Sequence, residues 1–173
     1  MQFCEGQVIV HPHHGPATIT EITSRQFKGA WARYLVLEVH RSNLVIGVPV
    51  NSSDAIGLRN VADASELSSL LDALRAPTGH EEPNWSRRFK ENRERLSTGD
   101  LFITAEVVRD LTRRLASKGL STGEKEMLRD ARKPLIIEIG LSLGIGDEKA
   151  EQALDSVLAG ERQTTADALA AAS

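Results

Sequence analysis

The sequence has one cysteine, Cys4, which excludes an internal disulfide framework and a Cys-rich zinc site. No apolar run approaches the roughly 20 residues that a membrane-spanning helix needs. The first residues, Met1 to Val10, lack the basic start and apolar core of a secretory signal. These absences predict a cytoplasmic protein with no membrane partner. Enzyme signatures are missing as well: there is no Gly-rich phosphate loop before a helix, no nucleophile elbow and no His-Glu-x-x-His helix. We therefore expect neither catalysis nor a cofactor. Aromatic residues are only 4% of the chain, so each tryptophan has to be placed individually. What remains is ordinary for a globular protein: 173 residues, 40% hydrophobic and 26% charged.

The net charge of -3 hides a strong segregation. Residues 85–133 hold thirteen basic and eight acidic residues, whereas residues 61–84 and 134–173 are acidic. The central block can follow a phosphate backbone, and its flanks conceal it in the total. A solvated set of mixed-charge helix faces gives the same count.

The first sixty residues read as β structure. Gln7–Val10, Ala17–Ile22, Tyr34–Val39 and Leu44–Val48 are short runs rich in β-branched residues, separated by turn-like segments such as His14-Gly15-Pro16 and Phe27-Lys28-Gly29-Ala30. Such spacing suggests a small antiparallel barrel. From Asp63 the period becomes helical, with Leu67, Leu70, Leu71 and Leu74 on one stripe. Asn84 is placed to cap the next helix, and Ser121 or Thr122 a later one with Glu124 in its first turn. A helix is expected from about Ile103 to Lys118, and a last one near Asp147 to Leu158. Pro134 is expected to break or kink the helix it falls in. The fold class predicted is α+β: residues 1–60 form the β module, 61–160 an all-α module, and 161–173 a flexible tail.

Two clusters are candidates for chemistry. His11-Pro12-His13-His14 brings three imidazoles together, but a strand-to-turn path splits their directions, and only Cys4 and Glu5 stand near to complete a metal shell. We read it as a structural turn and assign no metal. The segment Trp85-Ser86-Arg87-Arg88-Phe89-Lys90 is more informative. A tryptophan at a helix start, flanked by arginines, can stack on a base or wedge between base steps while the cations hold phosphates. The alternative is that Trp85 packs with Phe89 in a helical core. Arg109, Arg113, Arg114 and Lys118, then Lys125, Arg129, Arg132 and Lys133, extend the basic character along two later helices. Pairing within a helix, such as Asp110 with Arg113 and Arg114, would use part of it.

Several of these segments resemble CarD-type transcription regulators, most of all the actinobacterial CarD/CdnL branch. They are His11-Pro12-His13-His14-Gly15, Tyr34-Leu35-Val36-Leu37, Val48-Pro49, Val61, Leu74-Arg75-Ala76-Pro77, Asn84 to Asn92, Ala105 to Leu111 and Gly119 to Leu128. The likeness extends from Phe3 to about Leu158. The β module resembles the polymerase-interacting domain also found in the transcription-repair coupling factor.

The resemblance implies a Tudor-like barrel that binds the lobe of the RNA polymerase β subunit, followed by helices that bind promoter DNA. The DNA site implied lies at the upstream edge of the bubble, beside the sigma-bound -10 element, with Trp85 wedged into the minor groove. Arg87, Arg88, Lys90 and Lys125 fall where the family holds DNA backbone, and Arg114 joins them from the basic third helix. Arg25 falls where the family contacts polymerase, with Phe27 and Lys28 on the same turn. Gly47 replaces an arginine used against polymerase in close relatives, a loss for which Arg41 could substitute, and Pro134 interrupts a helix continuous in them. We see no heptad seam and expect a monomer. Two other readings stand beside the regulator: an architectural DNA-binding protein that acts without polymerase, and a protein-interaction adaptor in which Trp85 is buried.

Overall fold

The computed structural model describes residues 2–27, 30–40 and 42–160. Lys28, Arg41 and the tail 161–173 lie outside the described residues, and of Phe27 only the backbone is described. The chain divides into two compact units, with the boundary between Val61 and Ala62.

Five strands form one antiparallel sheet in the first unit: β1 (Val8–His11), β2 (Gly15–Phe27), β3 (Ala30–Val39), β4 (Val45–Pro49) and β5 (Arg59–Asn60). Their order is β4-β3-β2-β1-β5, and the one-turn helix α1 (Ser53–Ile56) precedes β5. This is the small antiparallel, Tudor-like module expected. Alternation in β3 buries Leu35, Leu37 and Val39 against Ile9, Ala17, Ile19, Val48 and Leu58. β2 is longer than the sequence pattern suggests because its pairing with β3 continues to Phe27, and within it lies a bulge. Ile19 pairs with Leu37 but Glu21 pairs with Val36, so Thr20 is the extra residue. The inward face therefore switches from Ala17 and Ile19 before the bulge to Ile22 after it.

The histidine cluster closes the β1–β2 turn. His11 is buried, and its Nδ1 accepts hydrogen bonds from the backbone N–H groups of His13 (3.1 Å) and His14 (3.3 Å). Gly15 completes the turn at φ 77°, a conformation that favours glycine. Burial, then the nearby His14 and His13, hold the His11 pKa below the ordinary histidine range. Nδ1 thus stays free to accept.

The second unit is helical: α2 (Ala64–Arg75), α3 (Trp85–Ser97), α4 (Leu101–Ser117), α5 (Thr122–Leu143) and α6 (Asp147–Leu158). Among the described residues no helix is long and apolar enough to cross a membrane. Each start carries the residue that the backbone there requires, except α6, whose cap is Gly146. Asp63 and Glu66 form a capping box on α2, as do Ser121 and Glu124 on α5. Asn84 and Asp100 accept from the first free N–H groups of α3 and α4. The core gathers Leu67, Leu70 and Leu74 of α2, Val107, Val108 and Leu111 of α4, Leu128, Leu135 and Ile139 of α5, and Leu154 of α6. The backbone of Ala62 is held on α5 from both sides. Its N–H donates to Glu138 Oε1 at 2.6 Å, and its carbonyl accepts from Ser142 Oγ at 2.8 Å.

Pro134 does not break its helix. α5 runs through it from Thr122 to Leu143. The missing N–H leaves Asp130 without its helical donor, yet Leu128 and Ala131 before the proline and Leu135 and Ile139 after it are all buried in the same core. Packing of both halves outweighs the local cost.

Candidate nucleic-acid interface

α3 is an unusual helix to dock, because its sequence, WSRRFKENRERLS, offers almost no aliphatic side chain. Its buried positions are Arg88 and Asn92, four apart and so on one face. A helix whose buried face is polar needs polar partners. Arg88 finds them on two sides. Its Nε and Nη2 donate to Glu124 Oε1 at 2.7 and 2.6 Å, and its Nη1 donates to the carbonyls of Glu82 (2.9 Å) and Pro83 (3.3 Å). Arg95 adds an ion pair with Glu106 of α4.

Glu124 serves two helices. One oxygen takes the Arg88 guanidinium, while the other accepts from the N–H (3.0 Å) and hydroxyl (2.8 Å) of Ser121 at the α5 cap. Burial pushes its pKa up, but the Ser121 bonds and the Arg88 charge outweigh this and hold the carboxyl below the usual range. Beside the pair, Phe89 covers Gly123. A Cβ on Gly123 would stand 3.2 Å from Phe89 Cε2, so the absence of a side chain there lets the first turns of α3 and α5 meet closely.

Trp85 begins α3 one turn before Arg88 and Phe89, and it is 62% exposed. Tryptophan is highly buried on average, and this one is not in the core with Phe89. The adaptor reading with a buried Trp85 is overturned on that point. Arg87, Lys90 and Lys125 are exposed. Lys90 stands 3.9 Å from Glu94, with both side chains largely in water, a pairing too weak to withhold the lysine from a phosphate. The positive ends of α3 and α5 add to this field.

Two expected DNA contacts are corrected. Arg88 is 6% exposed, and its donors are occupied inside the fold. It positions the turn that carries Trp85. Arg114 is likewise largely buried and paired with Glu81, which also accepts from Lys118 at 3.0 Å. The hydrogen bonds from Lys118 and Arg114 hold Glu81 below the usual carboxylate range. Arg109 and Arg113 serve the same segment. Arg109 donates to Ala73 O (2.9 Å), and Arg113 to Ala76 O (2.7 Å) and Arg75 O (3.1 Å), so both satisfy the carbonyls at the C-terminal end of α2. Four arginines of the basic block are thus scaffolding for the path from α2 to Trp85. The sequence reading missed Glu81, Glu124 and Gly123 as parts of this scaffold. The signal was available in the polar face of α3, which called for buried acidic partners.

Arg25 is exposed in β2, where it pairs with Ala32. Phe27 ends the same strand.

Residues 3–62 match the CarD-like/TRCF RID domain, and residues 69–155 match the C-terminal domain of CarD. The chain is 31% identical over 144 residues to the "Putative transcription factor YdeB" of Bacillus subtilis (strain 168), covering 83% of this chain and 94% of that protein. Two matched domains in family order, carried by the same two units that the structure separates, make this chain a member of the CarD family.

Proposed function

We propose that the protein is a non-enzymatic transcription regulator that binds the β-subunit lobe of RNA polymerase through its first unit. Its second unit stabilises the promoter open complex by wedging Trp85 into the minor groove at the upstream edge of the bubble. The observation that carries this reading is the exposure of Trp85 on a helix start that is rigidly built. Asn84 caps it, and the buried Arg88–Glu124 pair anchors it. Arg87, Lys90 and Lys125 supply phosphate contacts around it. Family membership supports the polymerase partner, with Arg25, Phe27 and Lys28 as its candidate contacts and sigma close by.

The energetics are consistent. Unstacking a duplex step costs a few kcal/mol, so the protein alone should bind DNA weakly. At a bubble edge stacking is already lost, and a tryptophan offers roughly 1–3 kcal/mol per stacked base. About 1.4 kcal/mol is tenfold in an equilibrium, so one residue can lengthen the life of an open complex strongly. Tethering to polymerase raises the local concentration.

The test is open-complex lifetime on an unstable promoter with cognate polymerase. Wild-type protein lengthens it and Trp85→Ala does not. If both lengthen it equally, the wedge is wrong. If neither does while polymerase binding persists, the chain acts elsewhere.

A further inference from the structure

The β2–β3 hairpin is longer than the sheet it belongs to. β1 pairs with β2 only as far as Thr18, and beyond it Ile22 N–H donates to Glu5 Oε1 at 3.0 Å. β4 pairs with β3 only from Tyr34 onward. The stretch from Ser24 to Phe27, opposite Ala30 to Arg33, is therefore a two-stranded ribbon with no third strand among the described residues. Such ribbons are marginal in water, and this one carries Trp31 at 72% exposure. Trp31 buries little in the fold.

Register separates the ribbon's faces. Ile22 pairs with Leu35, Ser24 with Arg33 and Gln26 with Trp31, so Trp31 and Arg33 lie on the face that is the core side further along the sheet. Arg25, paired with Ala32, lies on the opposite face. Residues 23–34 contain three basic residues and no acidic one.

We propose that Trp31 and Arg33 form a second protein anchor, separate from Arg25, for an acidic surface of the polymerase. The inference rests on the reading that the first unit docks on polymerase, and it adds the opposite face of the same hairpin to that contact. Charge complementarity selects an acidic surface, since nothing on the ribbon repels one. Tryptophan and arginine together are the side chains that dominate protein–protein hot spots. A nucleic-acid partner fits less well. Arg33 is the one cation described on the Trp31 face, far short of the set of phosphate contacts that gives DNA affinity.

The experiment measures binding of the full-length protein to cognate polymerase, and separately to forked DNA without polymerase. The variants are Trp31→Ala, Trp31→Phe, Arg33→Glu and Arg25→Glu. Trp31→Ala is expected to weaken polymerase binding by about tenfold or more, and Trp31→Phe to recover part of it. Arg33→Glu should weaken it as well, most at low salt. Forked-DNA affinity should not change with Trp31→Ala, and thermal melts should match wild type. Unchanged polymerase affinity in Trp31→Ala and Arg33→Glu, with a loss in Arg25→Glu, overturns the second anchor and leaves the docking reading standing. No loss in any variant overturns both. A loss of forked-DNA affinity in Trp31→Ala makes the ribbon a nucleic-acid contact and overturns the proposal.

Discussion

Arg88 Nη2 lies 2.6 Å from Glu124 Oε1, with the two side chains 7% and 2% exposed. A pair so withdrawn from water gives little net stability over apolar residues of the same size, but losing one partner strands the other. The pair joins the first turn of α3 to that of α5, and so fixes where Trp85 stands. Glu124→Gln should cost about 3–5 kcal/mol by urea unfolding. It should also weaken forked-DNA binding, although Glu124 faces the protein interior. The acid response follows the same bond. The folded-state pKa of Glu124 is lowered, so its contribution is complete above the ordinary value near 4.5 and is lost as pH falls through the lowered value. Glu124→Gln should remove that part of the acid sensitivity. Unchanged stability in Glu124→Gln would sink this account of how Trp85 is held.

Salt separates arginines that hold DNA from arginines that hold the fold. Each phosphate contact adds close to one unit to the slope of log affinity against log salt. Arg87→Ala, Lys90→Ala and Lys125→Ala should each flatten that slope by about one, with unfolding midpoints near wild type. Arg114→Ala should do the reverse, since its partner is Glu81. It loosens the segment before α3 and lowers stability while leaving the slope unchanged. A flattened slope in Arg114→Ala would return it to the interface.

That contrast marks the limit of what the sequence discloses. Strand runs, the Leu67–Leu74 stripe and the caps at Asn84 and Ser121 are local patterns, and each stands where its chemistry indicates. The side of the fold on which an arginine ends is not local. Arg87 and Arg88 are adjacent, yet one is exposed and the other buried, because their directions on a helix differ by about 100° and only one meets α5. The bulge at Thr20 was equally hidden. Ala17 to Ile22 reads as simple alternation, and only pairing with β3 shows the extra residue. Trp85 was legible as a candidate but not as exposed, since its neighbour Phe89 could have claimed it for a core.

The first unit has its own pH response, centred on His11. Its folded-state pKa lies below the ordinary histidine value of 6.5, because it is buried and stands beside His14 and His13. Below pH 6.5 the unfolded chain takes up a proton more readily than the fold does. Stability is therefore lost as pH falls from 6.5 toward the lowered value. His11→Asn keeps a short acceptor near the turn and should flatten the dependence over that window. Hydrogen exchange of the His13 and His14 amides against pH is the direct readout. Protection that does not change between pH 7 and 5 in the wild type would contradict it.

Pro134 gives the last prediction. An interior proline lacks the N–H that would donate to the Asp130 carbonyl, and costs about 3 kcal/mol relative to alanine. α5 remains one helix because Ala131, Leu135 and Ile139 are buried around the exposed proline. Pro134→Ala restores the bond without touching the core. Proline also restricts the unfolded chain, and its removal gives back part of that gain. The expected result is a stabilisation of about 1–3 kcal/mol in urea, with forked-DNA affinity unchanged. A loss of stability would mean that the packing of Leu135 and Ile139 depends on the backbone path that proline sets. In that case α5 would also be expected to present Lys125 differently in the variant, and the salt slope of DNA binding would move with the midpoint.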